Sequence, residues 1–273
     1  NEKLAMLKEK ATLVRKGIIE STHAAKCGHP GGSLSITDII TYLYFAEMNV
    51  NPADPKWADR DRLVLSKGHC CPGLYSVLAE KGFFDKAELQ KLRHIGAMLQ
   101  GHPDMKGIPG VDMSSGSLGQ GISAACGIAL AGKLKKADWK VYAILGDGEI
   151  EEGQVWEACM FAAHYKLDNL CVIIDWNGLQ IDGDITEVMN PTPIDKKFEA
   201  FGWNVIVIDA HNYDEIKAAL AAAKTVKGKP TVIIAKSIKG KGVSFMENQV
   251  GWHGSAPNDE QYAAAVAEIK ASM

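Results

Sequence analysis

The sequence predicts an α/β protein whose parallel sheet carries helices on both faces. Short runs rich in β-branched residues, such as VYAIL from Val141 and LCVIID from Leu170, alternate with longer segments of helical periodicity. Such alternation is typical of parallel strands joined by crossover helices. The chain has 273 residues, 47% of them hydrophobic, which is enough to bury a large core, so we expect residues 1–273 to form a single domain.

The first half of the chain is predicted to be mainly helical. Apolar residues at spacings of three and four predict an amphipathic helix over about residues 3–26. A second helix is predicted over about residues 37–48, so that the glycine-rich residues 28–32 form a loop between two helices. A third helix is predicted over residues 118–134, where it follows the glycines of SSGSLGQG.

The second half is predicted to alternate strands with helices. Four strands are predicted at VYAIL, LCVIID, NVIVID and TVIIAK, which begin at residues 141, 170, 204 and 231. Helices are predicted at about residues 152–165, 214–226 and 262–273. Residues 182–197, which contain two prolines, are predicted to form a long irregular loop.

Charge and cysteine content disfavour several classes of protein. The chain has 30 basic and 33 acidic residues and no run of five like charges, so neither nucleic acid nor a membrane surface is the expected partner. The six cysteines lack CxxC spacing, which predicts neither a zinc site nor a disulfide framework. The longest apolar stretches are too short to span a bilayer, and we expect a cytoplasmic protein.

Polar turns follow two consecutive strands of the predicted sheet. Asp147 and Gly148 lie in GDGEIEEG after the first strand, and Asn177 lies in WNGLQIDG after the second. Open parallel sheets bind ligands beyond the carboxyl ends of their strands, so these residues are expected to share a site. Gly148 also lets the backbone come close to a ligand.

The GDG turn has two interpretations. Alone, it is better explained as a turn whose following glutamates complement the dipole of the next helix. Together with Asn177, thirty residues after Asp147, and a main-chain carbonyl such as that of Leu179, it predicts a metal site. Hard oxygen ligands of this kind favour Mg²⁺ or Ca²⁺, with phosphate oxygens in the remaining positions.

Three of the eight histidines follow a glycine at a turn, namely His29, His69 and His102. Imidazole donates or accepts a proton near neutral pH, so three such turns could supply acid–base groups to one pocket. A single Gly-His turn is more often structural. Of the other five histidines, we interpret four as surface or core residues, namely His23, His94, His164 and His211.

These segments together resemble the amino-terminal, diphosphate-binding domain of transketolase. The resemblance covers about residues 10–260 and is carried by CGHPGGSL, LSKGHC, GHPD, PGVDMSSGSLGQGISAACGIAL, GDGEIEEGQVWEA, IIDWNGLQIDG and WHGSAP. It implies the thiamine diphosphate-binding fold. It also implies a transferase of the pentose phosphate pathway that moves a two-carbon ketol unit from a ketose phosphate to an aldose phosphate.

The resemblance further implies a role for each matching residue. The metal would be held by Asp147, Asn177 and the carbonyl of Leu179. Thiamine diphosphate would be bound by His69, Gly116, Leu118, Asp147, Gly148, Asn177 and Ile181. The catalytic residues facing the sugar would be His29, His102 and His253, and the subunit interface would contain Glu152 and Glu157.

A complete transketolase also contains a pyrimidine-binding domain, which carries the glutamate that activates the cofactor, and a third, C-terminal domain. We expect these on a separate partner chain, in a heterotetramer with two copies of each chain. Two alternatives within the cofactor class are a dihydroxyacetone synthase-like and a 1-deoxyxylulose 5-phosphate synthase-like enzyme, and LSKGHCCPGLYS argues against the latter. A catalytically idle regulatory or binding homologue is the alternative from another class.

Two groups of residues near the expected site allow more than one interpretation. Lys67 and the Cys70-Cys71 pair flank His69 and could alter the substrate fit, although they do not imply a reactive cysteine. Lys239 and Lys241 of IKGKG either approach a phosphate or lie in a solvated loop.

Overall fold

A five-stranded parallel sheet forms the centre of the protein in the computed structural model, which describes residues 2–272. The strand order is β1-β2-β3-β7-β6. A short antiparallel hairpin, β4–β5, follows β3. The strands are β1 Arg62–Leu65, β2 Val141–Gly146, β3 Leu170–Trp176, β4 Leu179–Gln180, β5 Gly183–Asp184, β6 Asn204–Asp209 and β7 Thr231–Lys236. The predicted α/β class with a parallel sheet is confirmed.

Ten α-helices accompany this sheet within the described residues. They are α1 Glu2–Ala25, α2 Pro30–Ser35, α3 Thr37–Tyr42, α4 Cys71–Lys81, α5 Gln120–Leu134, α6 Gly153–His164, α7 Ile185–Met189, α8 Ile194–Ala200, α9 Tyr213–Thr225 and α10 Asp259–Ala271. A π-helical turn, Leu43–Glu47, extends α3, and short 3-10 turns include Gly68–Cys70 and Glu149–Glu151. Between residues 2 and 272, we find no helix with the length and apolar character that a membrane crossing requires.

Two hydrophobic cores lie on opposite faces of the sheet, because successive side chains of a strand point to opposite sides. Tyr142 and Ile144 of β2 belong to one core, which includes residues of α1, α3, α4 and α9. Ala143 and Leu145 of the same strand belong to the other core, which includes residues of α5, α6 and α8. The prediction of helices on both faces is therefore confirmed.

Most of the predicted elements are confirmed, and the ends of several helices move slightly. The helices predicted over residues 3–26, 118–134, 152–165 and 214–226 lie within two residues of α1, α5, α6 and α9. The last helix begins at Asp259, earlier than predicted, and the final residue of its predicted range lies outside the described residues. The helix predicted over residues 37–48 is α3 with its π-helical extension.

Two loop predictions are wrong. Residues 182–197 contain β5, α7 and the start of α8, and the side chain of Asp184 caps α7 by accepting the backbone N–H of Thr186 at 2.8 Å. In the segment 28–32, α2 already begins at Pro30, since proline is well suited to the first turn of a helix. Only the residues just before Pro30 form the turn.

The sequence did not predict β1 and α4. β1 has only four residues and lies at the edge of the sheet after a charged segment, so its apolar run is short. Residues 71–79 of α4 are all buried, which removes the amphipathic periodicity by which a helix is usually detected. Together they position the 3-10 turn Gly68–Cys70, which lies between them and carries His69.

Candidate functional site

The carboxyl ends of β2 and β3 border a cleft of about 280 Å³. The two strands are adjacent and parallel, so the polar turns that follow them meet at one edge of the sheet. One carboxylate oxygen of Asp147 accepts the backbone N–H of Gly178 at 2.7 Å, and the other accepts that of Gly148 at 2.9 Å. Asp147, Asn177 and Leu179 all line this cleft.

Asp147 is an unusual carboxylate because it is only 2% exposed. Burial and the neighbouring Asp175 carboxylate raise the pKa of Asp147 to about 7, even though two backbone N–H groups favour its ionised form. A positive ion beside Asp147 would stabilise its anion. Asn177 and Leu179 contribute neutral oxygens to the same cleft.

Lys239 lies beside these oxygen atoms. Its ammonium group donates a hydrogen bond to the carbonyl of Leu179 at 3.1 Å and another to Nδ1 of His253 at 2.8 Å. Lys239 is 1% exposed, so the solvated-loop interpretation of IKGKG is wrong for this lysine. Lys241 lies nearer the surface, where it is 3.7 Å from the carboxylate of Glu247.

His29, His69 and His253 form a cluster at the cleft. The ring centroids are 5.1 Å apart for His29 and His69, 5.2 Å for His69 and His253, and 5.6 Å for His29 and His253. Burial, with help from neighbouring positive groups, lowers the pKa of His29 and His69 to about 4 and that of His253 to about 3. All three rings are therefore neutral at pH 7, and each has one N–H donor and one acceptor nitrogen.

The contact with Lys239 decides which nitrogen of His253 carries its proton. Because the Lys239 ammonium donates to Nδ1, that nitrogen is the acceptor, and the proton is on Nε2. His29 differs, since its Nδ1 is buried and has no hydrogen-bond partner within the described residues. The cluster thus presents a fixed donor on one ring and an unpaired nitrogen on another.

His102, Gly116 and Leu118 lie on neighbouring loops next to this cluster. The His102 side chain is exposed, in contrast to the three clustered rings. It packs against Gly116, where a Cβ atom would come within 2.6 Å of the His102 ring, and the φ angle of Gly116 is +142°. A side chain at position 116 is therefore excluded by both the backbone and the ring. Leu118 is 38% exposed and lines the cleft.

The β4–β5 hairpin forms another wall of the cleft. Ile181, at its tip, is 64% exposed and lines the cleft. Gln180 was not predicted as a site residue, but a Cβ at Gly148 would lie 2.8 Å from its Oε1 atom, and its Nε2 atom is buried without a partner among the described residues. Its position between Leu179 and Ile181 is the only signal in the sequence that could have identified it.

The turn interpretation expected Glu149 to complement a helix dipole, but the structure places its carboxylate elsewhere. Its carboxylate points inward and accepts hydrogen bonds from the Ser66 hydroxyl and from the backbone N–H groups of Gly119 and Gly146, both at 3.0 Å. Burial raises the pKa of Glu149. Its role is to hold the loop before α5 against the GDG turn.

Glu152 and Glu157 lie outside the cleft and are both exposed. Glu152 occupies the position just before α6, and Glu157 lies on the first half of that helix. Glu157 borders a shallow surface cavity together with Phe161, which is 37% exposed. These two glutamates are thus accessible to another chain.

Comparison with known proteins identifies the family. The sequence matches the family described as "Transketolase, thiamine diphosphate binding domain" over residues 7–271. The 6-deoxy-6-sulfo-D-fructose transketolase subunit SqwG of Clostridium sp. (strain MSTE9) is 47% identical, and the match covers 97% of this chain and 96% of that protein. An apulose-4-phosphate transketolase subunit of Phocaeicola vulgatus is 43% identical, with coverages of 93% and 90%.

Longer transketolases match over only part of their length. Human transketolase is 46% identical over 93% of this chain, but the match covers 40% of the human protein. The crystal structure of transketolase from Campylobacter jejuni superposes with a TM-score of 0.92 at 36% identity, covering 97% of this chain and 43% of that one. The chain therefore belongs to the transketolase family of ketol-transferring enzymes and has the fold of their thiamine diphosphate-binding domain.

Proposed function

We propose that this chain is the amino-terminal subunit of a split transketolase that uses thiamine diphosphate and a divalent metal ion. The observation that carries the proposal is that Asp147, Asn177 and Leu179 share one cleft with His69 and His253, whose rings cluster with that of His29. The two relatives named as transketolase subunits match this chain over nine-tenths or more of their own length. Their names as subunits support a divided enzyme.

The residues of the cleft fit a metal ion with a diphosphate. Within residues 2–272, no cluster of three or more His, Cys, Asp or Glu side chains could hold a metal ion. The proposed set is of a different kind, since it combines the Asp147 carboxylate with the Asn177 amide oxygen and the Leu179 carbonyl. A cation there would relieve the cost of the buried Asp147 anion, and hard oxygen donors suit Mg²⁺ or Ca²⁺.

The protein groups around the diphosphate have separate tasks. Gly148 lines the cleft with its backbone, and Lys239 supplies a buried positive charge. His69 and the residues at the mouth of the cleft, Leu118 and Ile181, would contact the cofactor. Thiamine diphosphate, when bound, supplies the carbanion-stabilising chemistry needed to break and re-form a carbon–carbon bond beside a carbonyl.

The histidines would handle the hydroxyl groups and protons of the sugar. His253 would present its Nε2–H as a donor to a substrate oxygen, and His29 packs against the rings of both His69 and His253. With pKa values of about 3 and about 4, these rings are weak bases, so they would act first by hydrogen bonding. His102, at the rim, would contact the sugar further from the cluster.

The proposed substrates are sugars that carry an anionic group. One subunit relative is named for a sulfonated fructose and the other for the phosphate of apulose, so the relatives differ in the sugar but share a negative charge on it. We therefore place this chain among enzymes that transfer a two-carbon ketol unit between anionic sugars. A role in the pentose phosphate pathway is one case of this class.

The proposed partner is a separate chain that carries the pyrimidine-binding domain. The exposed Leu118 and Ile181 leave apolar surface at the mouth of the cleft, where that domain would cover the cofactor. The exposed Glu152, just before α6, and the exposed Glu157 and Phe161 on that helix would face a second copy of this chain. Two copies of each chain would then form a heterotetramer.

The experiment compares cofactor binding and ketol transfer in the full chain, together with the partner that copurifies with it. Calorimetric titration with thiamine diphosphate in the presence of Mg²⁺ should show binding that Asp147→Ala abolishes. Asp182→Ala, which removes an exposed carboxylate in the nearby hairpin, is the matched control and should bind normally. Metal-independent binding, or unchanged affinity in Asp147→Ala, would contradict the metal site, and binding without ketol transfer by the assembled enzyme would indicate an idle homologue.

A further inference from the structure

Asp175 is the last fully buried residue of β3 and binds four side chains from four segments of the chain. Its Oδ2 atom accepts hydrogen bonds from the Lys67 ammonium at 2.5 Å, the Ser35 hydroxyl at 2.6 Å and the Asn177 amide at 3.1 Å. Its Oδ1 atom accepts the hydroxyl of Ser237. The segments that surround the cleft are therefore joined at this one carboxylate.

The Lys67–Asp175 pair is a charged pair without access to solvent. The side chains of Lys67 and Asp175 are 2% and 0% exposed. The Lys67 ammonium lies 2.5 Å from Oδ2 of Asp175, and the hydroxyls of Ser35 and Ser237 also donate to this carboxylate. Each of these partners favours the ionised form of Asp175, and Lys67 is its counter-ion. Asp175 is thus an anion, and as an anion it can only accept hydrogen bonds.

An acceptor-only neighbour fixes the orientation of the Asn177 amide. Oδ1 of Asn177 cannot form a hydrogen bond with a carboxylate, so only Nδ2 can face Asp175. Oδ1 is then held on the opposite side of the amide, where it accepts the backbone N–H of Leu179 at 3.0 Å and keeps its second lone pair. Without Asp175, only the backbone N–H of Leu179 would oppose a turn of the amide that presents its NH₂ group to a cation.

We infer that Asp175, held as an anion by Lys67, is a positioning residue for the metal ion of this enzyme, because it fixes the oxygen of Asn177 toward that ion. The inference rests on the proposed function, since it assumes that Asn177 is a metal ligand. Residues that orient metal ligands through a hydrogen bond typically account for about 10- to 100-fold in metal affinity. Lys67, which the sequence associated with substrate fit, acts on the metal site through Asp175.

The variants must separate orientation from loss of folding. Asp175→Asn keeps the shape of the side chain but leaves Lys67 buried without its counter-ion, which can unfold the protein. The double variant Lys67→Met/Asp175→Asn removes both charges and keeps the volume close to the original, so it serves as the main test. Ser237→Ala is the matched control, because it removes a hydrogen bond to the other oxygen of Asp175 and leaves Lys67 and Asn177 untouched.

The measurement is a calorimetric titration with Mg²⁺ at saturating thiamine diphosphate. It uses the full chain together with its partner subunit. Circular dichroism and thermal melting establish that each variant is folded. We expect the half-saturating Mg²⁺ concentration of the double variant to rise by about 10- to 100-fold, with Asn177→Ala at least as impaired. Ser237→Ala should stay close to the parent protein.

Three results would overturn the inference. If the folded double variant binds Mg²⁺ like the parent while Asn177→Ala does not, Asp175 has no positioning role, and the proposed metal site still stands. If Ser237→Ala is as impaired as the double variant, the effect is a general loosening of the cleft. If Asn177→Ala itself binds Mg²⁺ normally, the proposed metal site fails and the inference fails with it.

Discussion

The histidine cluster should make the stability of the protein depend on pH, and His69 is the best place to measure it. Burial, followed by the positive charge of Lys67, lowers the pKa of His69 from 6.5 to about 4 in the folded protein. Between these two values, the unfolded chain binds a proton that the folded chain excludes. The contribution of His69 to stability is therefore complete above about pH 6.5, and it is lost as the pH falls toward 4.

The size of the effect follows from the two pKa values. One proton changes the free energy of unfolding by about 1.4 kcal/mol for each pH unit, so the range from 6.5 to 4 corresponds to about 3 kcal/mol. His69→Gln removes this proton but keeps a polar side chain. The unfolding free energy of the parent minus that of the variant should then decrease by about 3 kcal/mol as the pH is lowered from 7.5 to 4.

Urea unfolding at a series of pH values, followed by tryptophan fluorescence, measures this difference. Comparing two proteins at each pH cancels the groups they share, including Asp147, whose raised pKa acts in the opposite direction. His94→Gln, in which an exposed histidine is replaced, controls for the loss of an imidazole elsewhere. Parallel stability curves for the parent and His69→Gln between pH 7.5 and 4 would refute the assignment of His69 as a ring kept neutral by burial.

Three further predictions concern packing, charge and assembly. Gly121→Ala should destabilise the protein by about 1–3 kcal/mol in urea unfolding, because a Cβ at this position would lie 2.5 Å from the hydroxyl of Ser66. Gly127→Ala in the same helix is the control, since a Cβ there would have no atom within 4 Å and the substitution should be neutral or stabilising. Equal effects of the two substitutions would contradict the packing. Lys239→Met should weaken thiamine diphosphate binding about 10- to 100-fold in calorimetry, since it removes a buried charge, and parent-like affinity would exclude a diphosphate contact. Phe161→Ser should weaken self-association in sedimentation experiments, and an unchanged assembly would place the interface elsewhere.

Local patterns were sufficient to predict the edge of the sheet at which the cleft lies. The strands β2 and β3 are mainly apolar, and each is followed by a polar turn. Asp147 and Asn177 could therefore be assigned to one edge without knowledge of the fold. The helices α1, α5, α6 and α9 were likewise predicted within two residues at each end. In each case the information lies within a short stretch of sequence.

The contacts that complete the cleft depend on residues far apart in the chain. Lys67 and Asp175 are 108 residues apart, and nothing in either neighbourhood predicts that they form a buried pair. The same applies to Lys239, because the sequence of its loop fits a solvated loop as well as a loop that approaches a phosphate. Only the packing of that loop against α2 and the β4–β5 hairpin buries this lysine, as its contact with the Leu179 carbonyl shows.

If the proposed site is correct, the charges around the cleft imply that the metal and the diphosphate depend on each other for binding. Of the two lysines that line the cleft within the described residues, Lys67 is paired with Asp175, which leaves Lys239 beside the buried Asp147. A diphosphate arriving alone would bring several negative charges to a cleft with one available ammonium group, and a metal ion arriving alone would find one carboxylate and two neutral oxygens. Each ligand supplies the charge that the other lacks, and by linkage the enhancement must be equal in both directions. In the proposed site the protein would therefore need only a few fixed groups, because the two ligands would neutralise each other.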